Sequence, residues 1–114
     1  MEPEGRNLIG LSQAAAGDKT FKSFNPGVGG EMAPNFFEAT PAEVDRAMQL
    51  AAEAFPVFRK KSGEERAAFL EKIAEEIEAL GDGLLERCDA ETALGIPRLT
   101  GERGRTTGQL RLFG

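Results

Sequence analysis

The sequence predicts an N-terminal β-hairpin arm over residues 1–39, followed by about four helices over residues 40–114. Two observations support this prediction. The arm is rich in Gly, Pro and Asn, and its short apolar segments are separated by turn signals. The second part contains two capping boxes, each followed by apolar residues at helical spacing. At 114 residues, the chain has room for one small domain at most.

Three segments of the arm have strand character: residues 7–10, 20–24 and 35–38. Between the second and third, Asn25-Pro26-Gly27 and Gly29-Gly30 are strong turn signals. We therefore expect one or two hairpins. The arm has too few apolar residues to fold alone.

The first helix is predicted to begin at a capping box. Thr40 serves as the N-cap, Pro41 takes the first helical position and Glu43 reaches back to the cap. Pro56 lacks a backbone donor, so the helix should bend or end there. One apolar stripe is expected along this helix: Val44, Ala47, Met48, Ala51, Phe55 and Phe58.

A second capping box, Ser62 to Glu65, predicts the next helix, and Gly81 is its natural C-cap. Asp82 is then expected to cap a third, shorter helix that ends near Leu94-Gly95. The inward face of the second helix is expected to consist of Leu70, Ile73, Ile77 and Leu80.

Pro97 is predicted to begin a fourth helix, although the amino-acid composition of that segment disfavours helix formation. Gly101, Gly104 and Gly108 fall inside it, and each costs about 0.8–1 kcal/mol relative to Ala. Either this segment is a loop, or packing against another element compensates for the glycines. The residues expected on one side are Leu99, Arg103, Thr106, Leu110 and Phe113.

Composition excludes several kinds of chemistry. The chain has no His and a single Cys, Cys88, which excludes a zinc site built from His and Cys, a Ser-His-Asp triad and an internal disulfide. Cys88 is expected to serve as a small core residue. There is no apolar run of membrane-spanning length and no signal-peptide pattern, so we expect a cytoplasmic protein without a membrane partner.

Charge is unevenly distributed. Residues 1–97 carry ten basic and eighteen acidic side chains, a net charge of −8, whereas residues 98–114 carry four arginines and one glutamate, a net charge of +3. Most of the chain is thus too acidic for a nucleic-acid partner, although an RNA-binding tail remains an alternative. The acidic run of the second helix is expected to be a solvated face: Glu71, Glu75, Glu76 and Glu78.

The four arginines near the end of the chain form the most informative cluster. They are able to bind an anionic ligand, because guanidinium groups bind carboxylates bidentately, or to pair with acidic surface residues. A stand-alone helical interaction module with an anion-binding C-terminal helix also stays open. Gly27-Val28-Gly29-Gly30 does not complete a phosphate-binding pattern, so no cofactor-binding residue is expected in this chain. The cluster comprises Arg98, Arg103, Arg105 and Arg111.

Several stretches resemble the N-terminal region of aldehyde dehydrogenases. Phe58 stands where that family usually carries Trp, and residues 91–97 depart from its usual Glu-Thr-Gly-Lys-Pro. Residues 99–113 resemble one branch in particular, the 2-oxoglutarate semialdehyde (2,5-dioxopentanoate) dehydrogenases. The stretches that carry the family resemblance are residues 25–31, 39–45, 51–58 and 65–74.

The resemblance implies an α/β family fold in which this chain is an incomplete part of the cofactor-binding domain. It implies NADP or NAD as the cofactor of a longer, homo-oligomeric enzyme. The catalytic Cys, general-base Glu and dinucleotide loop of that enzyme would lie beyond residue 114, so no catalytic residue and no bound cofactor are expected here. The partner of this chain is then the rest of the enzyme. Alignment places Arg105 beside the substrate tunnel, with Gln109 one turn on, to bind a distal carboxylate.

Overall fold

The computed structural model describes all residues, 1–114. Its backbone forms two compact units, a first of residues 2–24 and 31–60 and a second of residue 1 with residues 25–30 and 61–114. The sequence-based division at residue 39 stays a prediction. In chain order the elements are β1 (Asn7–Ile9), β2 (Ser12–Ala14), β3 (Thr20–Asn25), β4 (Gly30–Phe37), α1 (Pro41–Phe58), α2 (Gly63–Ala79), α3 (Gly81–Thr92) and α4 (Ile96–Leu112).

The first unit begins with a tight hairpin. β1 and β2 pair antiparallel, with Leu8 opposite Gln13. Gly10, at φ +62°, supplies the left-handed conformation that this two-residue turn requires. β2 was missed by the sequence analysis because Ser12-Gln13-Ala14 is short and polar, so nothing in its side chains distinguishes it from a loop.

β3 and β4 form a second two-stranded sheet, as the turn signals predicted. The connecting turn is stabilised by Asn25, whose Oδ1 accepts the Gly27 N–H at 2.9 Å and the Val28 N–H at 3.3 Å. The rings of Phe21 and Phe36 stack with centroids 5.6 Å apart. Both predicted strands are therefore present, and β4 begins at Gly30, five residues earlier than expected.

The capping box predicted for α1 is confirmed. Glu43 N–H donates to the Thr40 hydroxyl at 3.1 Å, and the Thr40 N–H donates to the Glu43 carboxylate at 3.0 Å. An end at Pro56 is wrong, because α1 continues to Phe58. Only one backbone donor is lost at Pro56, and a bond from the Arg59 N–H to the Phe55 carbonyl, 2.9 Å long, closes the last turn.

α2 also begins at its predicted capping box, where Glu65 N–H donates to the Ser62 hydroxyl at 3.1 Å. Gly81 follows with φ +63°, the left-handed conformation expected just after a helix. The prediction that Asp82 caps α3 is wrong. α3 begins at Gly81 without a side-chain cap, so Asp82 lies within its first turn, where a carboxylate still suits the helix dipole.

The second unit has its core between three helices. α2 packs mainly against α4, and α3 packs against α4 as well. The buried apolar side chains are Ala74, Leu85 and Leu99, one from each helix. The packing of α4 against α2 and α3 is what compensates for the low helix propensity of its glycines.

The inward faces expected from the sequence need correction at both of these helices. On α2, Leu80 is 50% exposed, whereas Ala74, which was not among the residues expected on the inward face, is fully buried. On α4, the buried threonine is Thr107 rather than Thr106, and Phe113 is 75% exposed. In each case apolar spacing alone selected a neighbouring face, because a small or polar residue at the true contact gives no hydrophobic signal.

Large apolar side chains remain exposed in both units, including Met48 and Phe55 of α1 and Phe69 of α2. The helices are all too short or too polar to be candidates for a membrane span.

The helix glycines offer a direct test of what holds α4 together. A Cβ added at Gly104 would meet no atom within 4 Å, so Gly104→Ala should stabilise the chain by about 0.8–1 kcal/mol through helix propensity alone. Gly81→Ala is the matched control, since its surroundings are equally open but its φ is +63°. That variant should lose about 1–2 kcal/mol. Urea unfolding followed by far-UV circular dichroism measures both, and a destabilising Gly104→Ala would contradict this explanation.

Candidate functional site

The arginine cluster lies entirely on α4, whose start is fixed by neighbouring backbone. Pro97 occupies the first turn of the helix. Just before it, Gly95 has φ +92° and its N–H donates to Asp89 Oδ1 at 2.9 Å. This bond joins the end of α3 to the start of α4. The start of α4 is therefore set by local geometry.

Arg111 joins α4 to α2. Its Nε donates to Glu71 Oε1 at 2.9 Å, while Nη1 and Nη2 donate to the two carboxylate oxygens of Glu78 at 2.7 and 3.0 Å. We call Arg111 with Glu71 and Glu78 the Arg111 clamp. All three side chains are partly exposed, but the bidentate geometry is the kind in which such a pair contributes most.

Protonation equilibria in the clamp follow from these bonds. The hydrogen bonds from Arg111 hold the pKa of the Glu78 carboxyl below its usual value of 4.5. In turn, the carboxylates of Glu78 and then Glu71 raise the pKa of the Arg111 guanidinium. The acidic face of α2 is largely exposed, as expected, and Glu71 and Glu78 also pair with Arg111. Their spacing of seven residues, about two helical turns, was the signal that places both on one side of α2.

Two further arginines of the cluster also have partners in the chain. Arg103 donates from Nη1 to the Gly81 carbonyl oxygen at 3.1 Å. Arg98 lies 3.8 Å from Glu102 one turn on, a long and exposed pair. For three of the four arginines, pairing within the chain is the correct interpretation. Because most of these cations are paired, the charge pattern gives less support to an RNA-binding tail.

Arg105 is different. Its side chain is exposed, and its guanidinium makes no hydrogen bond or ion pair within the chain. It lies two residues before buried Thr107, about 200° away around the helix. Gln109, also exposed, follows one turn later on the same side. Together they present five guanidinium donors and an amide, a set suited to a carboxylate.

The remaining candidates do not form a site. The hydroxyls of Thr106 and Thr107 donate to the carbonyl oxygens of Glu102 and Arg103, four residues earlier in the same helix. Cys88 is half-buried on α3, which fits the expected packing role. No group of three or more carboxylates or thiols is placed to hold a metal ion.

Comparison with known proteins decides the family. The family model described as "Aldehyde dehydrogenase family" matches residues 13–114. The chain belongs to the aldehyde dehydrogenase family. It is 51% identical over 114 residues to alpha-ketoglutaric semialdehyde dehydrogenase 2 of Azospirillum brasilense, covering 99% of this chain and 22% of that protein. It is 42% identical over 112 residues to alpha-ketoglutaric semialdehyde dehydrogenase of Acinetobacter baylyi, covering 98% of this chain and 21% of that protein.

The family resemblance drawn from the sequence is therefore confirmed, and the chain spans about a fifth of the length of these relatives. Membership of this family implies a nicotinamide dinucleotide as the cofactor of the enzyme. The glycine-rich segments of this chain do not fit a dinucleotide-binding loop. The glycines at 27–30 lie at the turn between β3 and β4, and those at 81 and 83 lie in the first turn of α3, directly after another helix. A dinucleotide loop needs a strand before and a helix after its glycines.

The Arg111 clamp should make the free energy of unfolding depend on pH. Because the folded-state pKa of Glu78 is below 4.5, the pairing contributes fully above that pH, and its contribution is lost as the pH falls through the lower value. The pKa values of Glu43 and Glu65 are also lowered, chiefly by the backbone N–H groups of Thr40 and Ser62 that they accept. The free energy of unfolding should thus fall as the pH is lowered below 4.5, and fall less in Glu78→Gln.

Urea unfolding at a series of pH values measures this difference, with Arg111→Met as the background control. In that background Glu78→Gln should change the pH dependence much less, since the main cause of the lowered pKa has been removed. An acid limb that is identical in the parent chain and in Glu78→Gln would contradict the assignment.

Proposed function

We propose that this chain is the N-terminal part of an aldehyde dehydrogenase that oxidises 2,5-dioxopentanoate to 2-oxoglutarate with NAD or NADP. 2,5-Dioxopentanoate is the alpha-ketoglutaric semialdehyde in the names of the two relatives. We also infer that the chain contributes to the cofactor-binding domain of that enzyme. The hydride acceptor and the reacting groups would be held elsewhere in the enzyme, and the homo-oligomeric state and cytoplasmic location stay predictions.

The observation that supports this proposal most strongly is the single unpaired arginine on α4. The other three arginines are engaged within the chain, so Arg105 is the guanidinium left for a ligand. 2,5-Dioxopentanoate differs from a neutral aldehyde by its carboxylate, which lies at the opposite end from the aldehyde carbon. A guanidinium that binds this carboxylate would orient the aldehyde end toward the reacting groups.

Gln109 has a supporting role in this proposal. Its amide N–H₂ is able to donate to a carboxylate oxygen, and its position one turn after Arg105 places it alongside the guanidinium. Neither side chain would take part in bond making. Both act by binding and orienting the substrate, so their loss should appear in KM before it appears in kcat.

A chimeric enzyme tests this function. The segment of the Azospirillum brasilense relative that this chain matches is replaced by the 114 residues, and oxidation of 2,5-dioxopentanoate and of pentanal is followed by nicotinamide absorbance. The chimera should be active on both aldehydes. Arg105→Met should raise KM for the carboxylated aldehyde about 10-fold or more, as expected for losing a hydrogen bond to a charged group, and leave KM for pentanal unchanged.

Arg98→Met is the matched control, since it removes an exposed arginine of the same helix whose only contact is a long pair with Glu102. It should leave both KM values unchanged. An equal effect of Arg105→Met on the two aldehydes would rule out carboxylate binding by Arg105. A chimera that folds and assembles but oxidises neither aldehyde would favour the alternative of a stand-alone helical interaction module.

A further inference from the structure

α4 presents two opposite faces. Leu99 and Thr107 are buried on the face toward α2 and α3. Arg105 is six residues after Leu99 and two before Thr107, which places it about 240° and 200° around the helix from them. Arg105 therefore leaves α4 on the side away from the packed face, and its direction depends on how α4 is seated on α2.

The seating of α4 is fixed by charged side chains on both sides of Arg105 along the helix. Two residues before it, Arg103 donates to the carbonyl oxygen of Gly81 at the junction of α2 and α3. Six residues after it, Arg111 donates to Glu71 and Glu78 of α2 through three hydrogen bonds of 2.7–3.0 Å. The segment that carries Arg105 is thus held at two points.

The same segment has little helical stability of its own. Gly104 and Gly108 lie on either side of Arg105, and glycine is the poorest helix former apart from proline. Neither glycine gains a contact in return, because a Cβ at either position would meet no atom within 4 Å. The geometry of this segment therefore depends on its side-chain contacts with α2 and α3.

We propose that the Arg111 clamp is a positioning device for Arg105. By holding the glycine-containing half of α4 against α2, Arg111, Glu71 and Glu78 fix the direction in which the Arg105 guanidinium meets the substrate carboxylate. Bidentate binding of a carboxylate requires alignment of two planar groups, and a displacement of about 1 Å is enough to weaken it severely. This inference rests on the proposed function, in which Arg105 binds the substrate; the clamp residues themselves touch no substrate.

The test uses the full-length chimera and compares two aldehydes. Arg111→Met should raise KM for 2,5-dioxopentanoate about 3- to 10-fold, with kcat within about twofold of the parent and KM for pentanal unchanged. Glu78→Gln, which keeps the shape of the side chain, should act in the same direction and carries the test if Arg111→Met does not assemble. Arg98→Met again serves as the control that removes an arginine of α4 outside the clamp.

A double-mutant cycle separates positioning from general destabilisation. If Arg111 and Glu78 act through one pairing, the KM ratio of the two aldehydes in the double variant should equal that of Arg111→Met alone. Combining Arg111→Met with Arg105→Met should add nothing to Arg105→Met, because the clamp then has no guanidinium to position.

Each contrary result points to a different error. Arg105→Met without an effect on the KM ratio overturns the role of Arg105 and the positioning role with it. If Arg105→Met changes the KM ratio but Arg111→Met and Glu78→Gln do not, the positioning role is overturned. The proposed function is unaffected by that result. Equal changes for both aldehydes in the clamp variants assign the clamp a structural role only, which also overturns the inference.

Discussion

The pairing of one guanidinium with two carboxylates on a neighbouring helix is the interaction on which this structure depends. Arg111 bridges Glu71 and Glu78, two turns apart on α2, and so favours one register of α4 along α2. Ala74 of α2 and Leu99 of α4 are both buried in the same unit. A helix with three glycines forms here because tertiary contacts supply what its propensity lacks.

The arginines of α4 differ in whether their side chains have a partner within the chain. Arg103 and Arg111 are bound to groups of the second unit, so their charges are already engaged, whereas Arg105 faces away with no partner in the chain. Under the proposed function, Arg105 is the cation that would bind the carboxylate of the aldehyde. In that proposal the part of this chain in catalysis would be to orient the substrate.

The features that the sequence predicted correctly are those encoded locally. Thr40 with Glu43 and Ser62 with Glu65 set the starts of two helices through hydrogen bonds within three residues, and the Asn25 turn acts over a similar distance. The features that it did not predict depend on partners far along the chain. Glu78 and Arg111 are 33 residues apart, and neither periodicity nor propensity links them.

Burial was predicted least well where the contact residue is small or polar. Ala74 and Thr107 are buried, yet hydrophobic spacing selected Leu80 and Thr106 in their place. The family resemblance was visible because whole stretches of sequence matched, but it does not say which arginine of α4 is free. Alignment with the family had singled out Arg105 by position, and the structure adds that the other three arginines are bound within the chain.

Hydrogen exchange of the α4 backbone amides tests most directly whether the Arg111 clamp, rather than helix propensity, keeps α4 folded. Arg111→Met should speed exchange from Arg105 to Leu112 and leave α1, which has its own capping box, unchanged. Adding Gly104→Ala to that variant should slow the exchange of α4 again, because alanine restores helix propensity at a position with no neighbouring atoms. Exchange in α4 that is the same with and without Arg111 would contradict the account.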